Sequence, residues 1–346
     1  GYKDLSEKLR RYGLFFPPDP GANASIGGML ANNAAGSRTV KYGATKDNVL
    51  RIQVALADGR LIEAGCRSVK QSSGYDLLHL FVGSEGTLGV ITEATLKLWP
   101  IAEFSSAAIA TFDDTESAVE TVVAVRGSGL EPAALEYIGR DNVRLMNTIE
   151  GLYFGENIAL LMELSAAHQQ TLLDGLATLE EICKEMGATS FRGTTDTAER
   201  KAIWEARHGS LEILRRHNPD TRFMSVDVSV PISAYPELVL HIEGVLQEFG
   251  GIPGYLVGHA GDGNMHMGLS YRDDASYEVA RKINERVVHK AIELDGTSTG
   301  EHGVGYGKRK YMQREHGESL DVMRTIKQTL DPNGILNPGK VLPDAE

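Results

Sequence analysis

Cysteine is scarce: the chain has two, Cys66 and Cys183, far apart and in no CxxC pair. That excludes a zinc ribbon and a disulfide framework, and it fits a reducing compartment. Long apolar runs are also missing. The strongest stretch, Leu238 to Val245, is short and is broken by His241 and Glu243, so it falls well below membrane-spanning length. Positive charge is in deficit, with 35 Lys and Arg against 47 Asp and Glu and a net charge of −12. A chain of that sign repels phosphate backbones, which argues against nucleic acid as a partner. A local basic pocket for a small anion is still compatible with it. No signal-peptide pattern stands at the visible start.

What is present is enough chain for two domains, 346 residues, and dense clusters of small residues. Gly21 to Gly43 and Gly83 to Gly89 have too little bulk to fill a core. Such stretches let a backbone approach a phosphate or a flat cofactor closely. Neither fits GxGxxG or GxxxxGK[ST]. Around them the pattern predicts a short helix over Asp4 to Tyr12 and a hairpin of Val49 to Ala57 with Arg60 to Ala64 about Asp58-Gly59.

After Pro100 strands and helices alternate. Strands are expected at Ser105 to Phe112, Pro132 to Tyr137, Asn157 to Leu164, Thr189 to Arg192 and Phe223 to Val230. Asp114 N-caps one helix, Gln169 to Met186 forms another, and Asp196 with Glu199 opens a third that runs to about Arg216. Ser233 and Pro236 open a helix that stops at Gly250-Gly251. Tyr255 to His259 and Met265 to Tyr271 read as a hairpin, followed by a long helix from Asp274 to Leu294. Such interleaving implies an α+β fold, with an antiparallel sheet and helices packed on one face.

The chemistry concentrates in His259-Ala-Gly-Asp-Gly-Asn-Met-His266 and in Glu301-His302. The turn brings both imidazoles together, and imidazole with carboxylate suits a divalent transition metal. Two histidines at this spacing alone are most often a satisfied hairpin pair. The Glu-His pair in a second Gly-rich loop, Gly296 to Gly307, turns the balance towards a metal on His259, His266 and Glu301. His302 suits a general base or a hydrogen-bond partner of the ligand Glu301, and spacing leaves both open. Arg207 lies in a helix with apolar neighbours. A helix Arg is ordinarily a solvated charge, whereas a buried one would clamp a carboxylate.

Four segments are distinctive together: DPGANASIGGMLANNAAG at Asp19 to Gly36, GYDLLHLFVGSEGTLGVITEATLKLWP at Gly74 to Pro100, GHAGDGNMH at Gly258 to His266, and STGEHGVGYGKR at Ser298 to Arg309. They are joined by the closing segment DPNGILNPGKVL, Asp331 to Leu342. The whole chain from Asp4 onward resembles the FAD-linked oxidases of the vanillyl-alcohol-oxidase type. Within them it resembles the D-lactate dehydrogenase and glycolate oxidase flavin-subunit group.

The resemblance implies the remainder of a two-lobe FAD-binding domain plus an antiparallel-sheet substrate (cap) domain. The expected division is 1–100 for the second flavin lobe, 101–320 for the substrate domain, and 321–346 for a segment returning to the flavin domain. It implies FAD contacts for Pro20, Ser25, Ile26, Gly27, Gly28, Asn33, Gly36, Glu85, Gly86, Gly89, Ile91 and Asn337. It also implies a metal (zinc, manganese or iron) on His259, His266 and Glu301, His302 as base and Arg207 as carboxylate clamp. Family members begin with another flavin lobe, and Gly1 falls just before the helix that follows it. The resemblance therefore implies a fragment, or a lobe on a separate chain, with FAD binding and activity incomplete in this chain alone.

The expected activity is metal-assisted oxidation of a D-2-hydroxy acid, with hydride transfer to flavin N5. Gly268 and Ser225 stand where the D-2-hydroxyglutarate enzymes carry Asn and Lys, which favours lactate or glycolate. The rivals are glycolate or D-2-hydroxyglutarate enzymes of the same family, a catalytically silent accessory subunit, and a non-redox relative exchanging groups on a lipid. Expected partners are a quinone, cytochrome, electron-transfer flavoprotein or iron–sulfur subunit as electron acceptor, and a second copy of the chain. The expected location is cytoplasmic or peripheral at the inner face of a membrane.

Overall fold

The computed structural model describes residues 1–344. By internal contact the chain divides into two units, Gly1–Ile101 with Ser298 onward, and Ala102–Thr297. It rejoins its first unit at Ser298 rather than at 321, so residues 298–320 group with the flavin-side segments and not with the substrate domain. Residues 345 and 346 of the expected closing segment lie outside the described residues. Among the described residues no helix is long and apolar enough to cross a membrane.

The first unit opens with helix α1 (Tyr2–Arg10) and helix α2 (Ile26–Asn32). Its sheet has strand β1 (Val49–Ala55) at the centre, flanked by β2 (Leu61–Gly65) and β3 (Val90–Leu96), all antiparallel. Alternation along β1 decides its two faces. Ile52 and Val54 pack with Leu30, Leu78, Phe81 and Leu88, each fully buried side chain contributing ~1.5–3 kcal/mol. On the other face Arg51 lies 3.4 Å from Glu63 and 3.8 Å from Glu93. The helix Ser319–Leu330 adds Ile326 and Leu330 to the same core. At its end Lys327 Nζ reaches the buried Asp331 carboxylate and the carbonyls of Thr87 and Leu336.

The second unit is built on seven strands: β4 (Ala107–Phe112), β5 (Ala134–Ile138), β6 (Ile158–Glu163), β7 (Ser190–Thr194), β8 (Arg222–Ser229), β9 (Gly254–Gly258) and β10 (Asn264–Tyr271). Their spatial order is β7-β4-β6-β5-β9-β10-β8, with every pair antiparallel. The helices are α3 (Thr115–Gly127), α4 (Arg140–Met146), α5 (Gln169–Glu185), α6 (Thr197–His208), α7 (Ser210–His217), α8 (Tyr235–Phe249) and α9 (Asp274–Glu293). The helix expected to run to Arg216 is two helices, interrupted at Gly209, where low helix propensity lets the chain turn.

Register sorts the residues of this sheet. Ile138 and His266 both pair with Val257, Asp227 pairs with His266, and Glu136 pairs with Leu161. One face therefore carries Ile109, Leu161, Glu136, Ile138, Val257, His266 and Asp227. The other carries Tyr137, Val226, Val228, Met265 and Met267, and the main helix layer, α3, α8 and α9, packs there. On the first face, α4 and α6 cover the apolar half: Val143, Met146, Ile203 and Ala206 join Ala107, Ile109, Ile138, Ala159 and Leu161 in one buried cluster. The polar half of that face is the candidate site.

Candidate active site

Arg207 is buried, not solvated. Ile203, Ala206 and Arg207 form one stripe of α6, so the helix face that packs on the sheet carries the guanidinium with it. Arg207 Nη2 lies 2.5 Å from Glu136 Oε2, and the Glu136 side chain is fully buried. The other oxygen, Glu136 Oε1, is 2.7 Å from His259 Nδ1. Burial alone would raise the Glu136 carboxyl, but the adjacent Arg207 and His259 more than reverse this and hold it at about 2. Glu136 engages His259 at Nδ1, so Nε2 is the ring nitrogen that this carboxylate does not engage.

His259 and His266 come together as the hairpin reading requires. Their ring centroids are 5.2 Å apart and the planes nearly perpendicular. The link between them is not a plain two-strand turn. A single 3₁₀ turn, Ala260–Asp262, follows His259, and Gly263 closes it in the left-handed region at φ 70°. A Cβ at Gly263 would stand 2.0 Å from the Val230 carbonyl oxygen, so only glycine fits. Asn264 then begins the return strand and donates to Asp227 Oδ1 (2.8 Å) and to the Val228 carbonyl (2.9 Å). Asp227 Oδ1 is 3.6 Å from His266 Nδ1. Each imidazole thus has a buried carboxylate behind it, Glu136 for His259 and Asp227 for His266.

Sequence reasoning did not assign Glu136. The available signal was a lone carboxylate inside an otherwise apolar strand, Ala133-Ala-Leu-Glu-Tyr-Ile138, since a charge at a core position needs a partner. Both cysteines are outside the site, and burial pushes the Cys183 thiol up to about 12, leaving it inert.

The remaining expected residues are in the first unit. Glu301 and His302 share one loop, with His302 Nε2 3.5 Å from Glu301 Oε1; the Glu301 side chain is 14% exposed and that of His302 47%. Glu85, in the left-handed region, does not stand free for a cofactor. Its carboxylate accepts from the backbone N–H of Val304 (2.6 Å) and Gly305 (2.9 Å), and its carbonyl accepts from the Asn337 amide at 2.5 Å. It ties the Glu-His loop and the closing segment to the Gly-rich turn.

Ser25 N-caps α2 by accepting from Gly28 N–H at 3.0 Å, and Ile26, Gly27 and Gly28 form the first turn. Asn33 ends α2 at φ 51° and its side chain accepts from Lys46 N–H. Gly83 N–H and Glu85 N–H donate to the carbonyls of Leu30 and Ala31, which brings the two expected flavin segments together. Gly36 is explained by packing alone, because a Cβ there would lie 1.7 Å from the Asp19 carbonyl oxygen, next to Pro20. The same holds for Gly89, whose Cβ would meet Val54 Cγ1 at 2.3 Å, beside Ile91 on β3. At Gly27 and Gly86, by contrast, a Cβ would meet nothing within 4 Å. Their bare backbone is open to a flat ligand, which fits FAD.

Comparison with known proteins places the chain in a family. Residues 101–341 match the family model described as FAD linked oxidases, C-terminal domain, and residues 1–65 match a model described as FAD binding domain. A zebrafish protein (Danio rerio) named probable D-lactate dehydrogenase, mitochondrial, is 37% identical over 98% of this chain and 69% of its own length. The Arabidopsis thaliana D-lactate dehydrogenase [cytochrome], mitochondrial, is 38% identical over 99% of this chain and 61% of its own length. The chain therefore spans roughly two thirds of these relatives. Among solved structures, 4-ethylphenol oxidase from Gulosibacter chungangensis shares the fold, with a TM-score of 0.75 at 18% identity over 99% of this chain and 75% of that one. The chain belongs to the FAD-linked oxidase family.

Proposed function

We propose that the full-length protein oxidises D-lactate to its 2-oxo acid at FAD, and that this chain supplies the groups that bind the acid and handle its proton. The observation that carries this is the buried cluster on one sheet face, where a guanidinium and an imidazole share the Glu136 carboxylate beside a second imidazole. FAD, when bound, supplies the two-electron acceptor, and a divalent zinc, manganese or iron ion supplies a Lewis acid for the substrate's oxygens.

Arg207 binds the substrate carboxylate. Its Nε–H is buried with no hydrogen-bond partner among the described residues, an orphaned donor that a carboxylate would satisfy. His259 serves as a metal ligand through Nε2, because Nδ1 is engaged by Glu136. His266 is the second imidazole ligand and Glu301 the carboxylate one. His302 takes the hydroxyl proton. A side chain at Gly268 would sit 3.4–3.9 Å from Leu214, Phe223 and Tyr255, apolar company that suits the methyl of lactate better than a second carboxylate. A cytochrome, quinone, electron-transfer flavoprotein or iron–sulfur subunit accepts the electrons, and the cytochrome in the name of the Arabidopsis relative makes it the first to test.

The test is substrate-driven dye reduction by the full-length protein with D-lactate, glycolate and D-2-hydroxyglutarate, alongside elemental analysis. About one metal per chain is expected, lost in His259→Ala. His302→Ala is expected to lower turnover ~10²–10⁴-fold with flavin content unchanged. A near-normal rate in that variant removes the base assignment, and full activity in metal-free protein removes the metal.

A further inference from the structure

We infer that Glu136 is a positioning residue that couples the two substrate-binding groups of the site, holding the metal-ligand imidazole with one oxygen and the carboxylate-binding guanidinium with the other. The inference rests on the proposed role of His259 as a metal ligand and adds a residue that neither the motifs nor the family descriptions single out.

Three observations carry it. Glu136 is on β5, a strand with a neighbour on each side, and its side chain is fully buried, so the carboxylate cannot move without moving the sheet. Its two oxygens are divided, 2.5 Å to Arg207 Nη2 and 2.7 Å to His259 Nδ1, so neither partner can be released without leaving the carboxylate half satisfied. A buried ion pair is a poor stabiliser compared with apolar packing of similar volume. On a sheet face whose neighbours are Leu161 and Ile138, the charge is therefore explained by what it positions.

The consequence for each arm differs. On the imidazole arm, a carboxylate accepting from Nδ1–H fixes the tautomer and raises the basicity of Nε2, an arrangement typical of histidine ligands to metals. On the guanidinium arm, one N–H group is spent on Glu136 and the plane of the fork is thereby set, so the remaining donors are pre-organised for a second carboxylate. Both arms depend on one pair of oxygens. Loss of Glu136 should therefore weaken metal and substrate together, whereas loss of either partner alone should not.

The test compares wild type, Glu136→Gln and Ile138→Val in the full-length flavoprotein. Metal affinity is read by competition with a chromophoric chelator using Zn²⁺ or Mn²⁺ alone. KM for D-lactate is read separately. A glutamine has one acceptor oxygen for two donors, so metal affinity and KM are both expected to worsen, each by about 10-fold or more. Ile138→Val, a packing change on the same face, should lower Tm and leave both readouts within two-fold. If Glu136→Gln does not fold, Glu136→Asp is read instead. It keeps the charge but is one methylene too short to reach both partners, and the same losses are expected. A folded Glu136 variant with either readout unchanged, in a protein whose wild type binds metal, overturns the inference and leaves the proposed function standing. A wild type that binds no metal even after incubation removes the metal assignment and this inference with it, while the oxidation of D-lactate at FAD is judged separately by the substrate panel.

Discussion

Truncating Glu136 to alanine should be among the most damaging single changes in the second unit. The variant removes a carboxylate that is fully buried between Arg207 and His259, and it leaves the guanidinium with 8% exposure and no counter-charge. Breaking a buried pair by deleting one partner destabilises by ~3–5 kcal/mol, because the remaining charge stays desolvated. For a unit of this size each kcal/mol moves Tm by about 2–4 °C, so a drop of about 6–20 °C is expected in calorimetry. The double replacement Glu136→Leu with Arg207→Met removes both charges and refills the space with apolar atoms. It should recover most of that loss, while turnover of D-lactate is lost with the Arg207 guanidinium. The assay is differential scanning calorimetry of both variants at matched pH and salt. A single variant within about 1 kcal/mol of wild type would refute the account, since it would mean that Arg207 finds water or another partner at no cost. A double variant as unstable as the single would show that His259, and not Arg207, is the group left stranded.

Gly263→Ala should destabilise by about 2 kcal/mol or more, since alanine must take a left-handed conformation and its Cβ would overlap the Val230 carbonyl. Chemical denaturation reads this, and an unchanged midpoint would contradict the geometry. His241, between α8 and α9, has its pKa lowered by burial and then by Lys290 and Arg286, with Glu293 and Glu237 opposing. The folded state thus binds this proton less readily than the unfolded one, so stability should fall as pH drops through 6.5 towards the folded value. His241→Gln should flatten that part of a Tm-against-pH curve, and an identical slope in both proteins would reject the assignment. Asp331 is a reverse case by mechanism but not by sign. Burial raises its carboxyl, yet Lys327 and the N–H groups of Leu336 and Ile335 lower it below the ordinary aspartate value. Its contribution is present above that ordinary value and lost as pH falls through the folded one. Asp331→Asn should therefore lower Tm at neutral pH and shrink the acid-induced loss, which a thermal melt series from neutral to acidic pH would test.

Several features were legible before any coordinates. Short strand-like runs bounded by turn residues located the strands that carry Glu136, Asp227 and His266, and the one that ends just before His259, to within a few residues. The Asp58-Gly59 hairpin, the Asp114 and Asp196 caps and the stop at Gly250 were readable for the same local reason: each depends on the chemistry of three or four neighbouring residues. The interruption at Gly209 was missed, since apolar spacing continues across it. The return to the first unit at Ser298 was also missed. Nothing in a Gly-rich loop encodes which body it packs with, and contacts such as Glu85 to Val304 span more than two hundred residues.

The sequence by itself determined the α+β class, the motifs that place the chain among FAD-linked oxidases, the candidate ligands His259, His266 and Glu301, and the candidate base His302. These rest on residue type and short spacing, which survive without knowledge of neighbours. Only the tertiary structure decided the environment of each group. Arg207 reads as an ordinary helix charge until the packing of Ile203 and Ala206 is seen to carry it into the sheet. Glu136 reads as a stray polar residue until register sets it between that guanidinium and an imidazole more than a hundred positions away. Burial and pairing are properties of distant segments brought together, and they alone turn a carboxylate from a solvated surface group into one that holds two others in place.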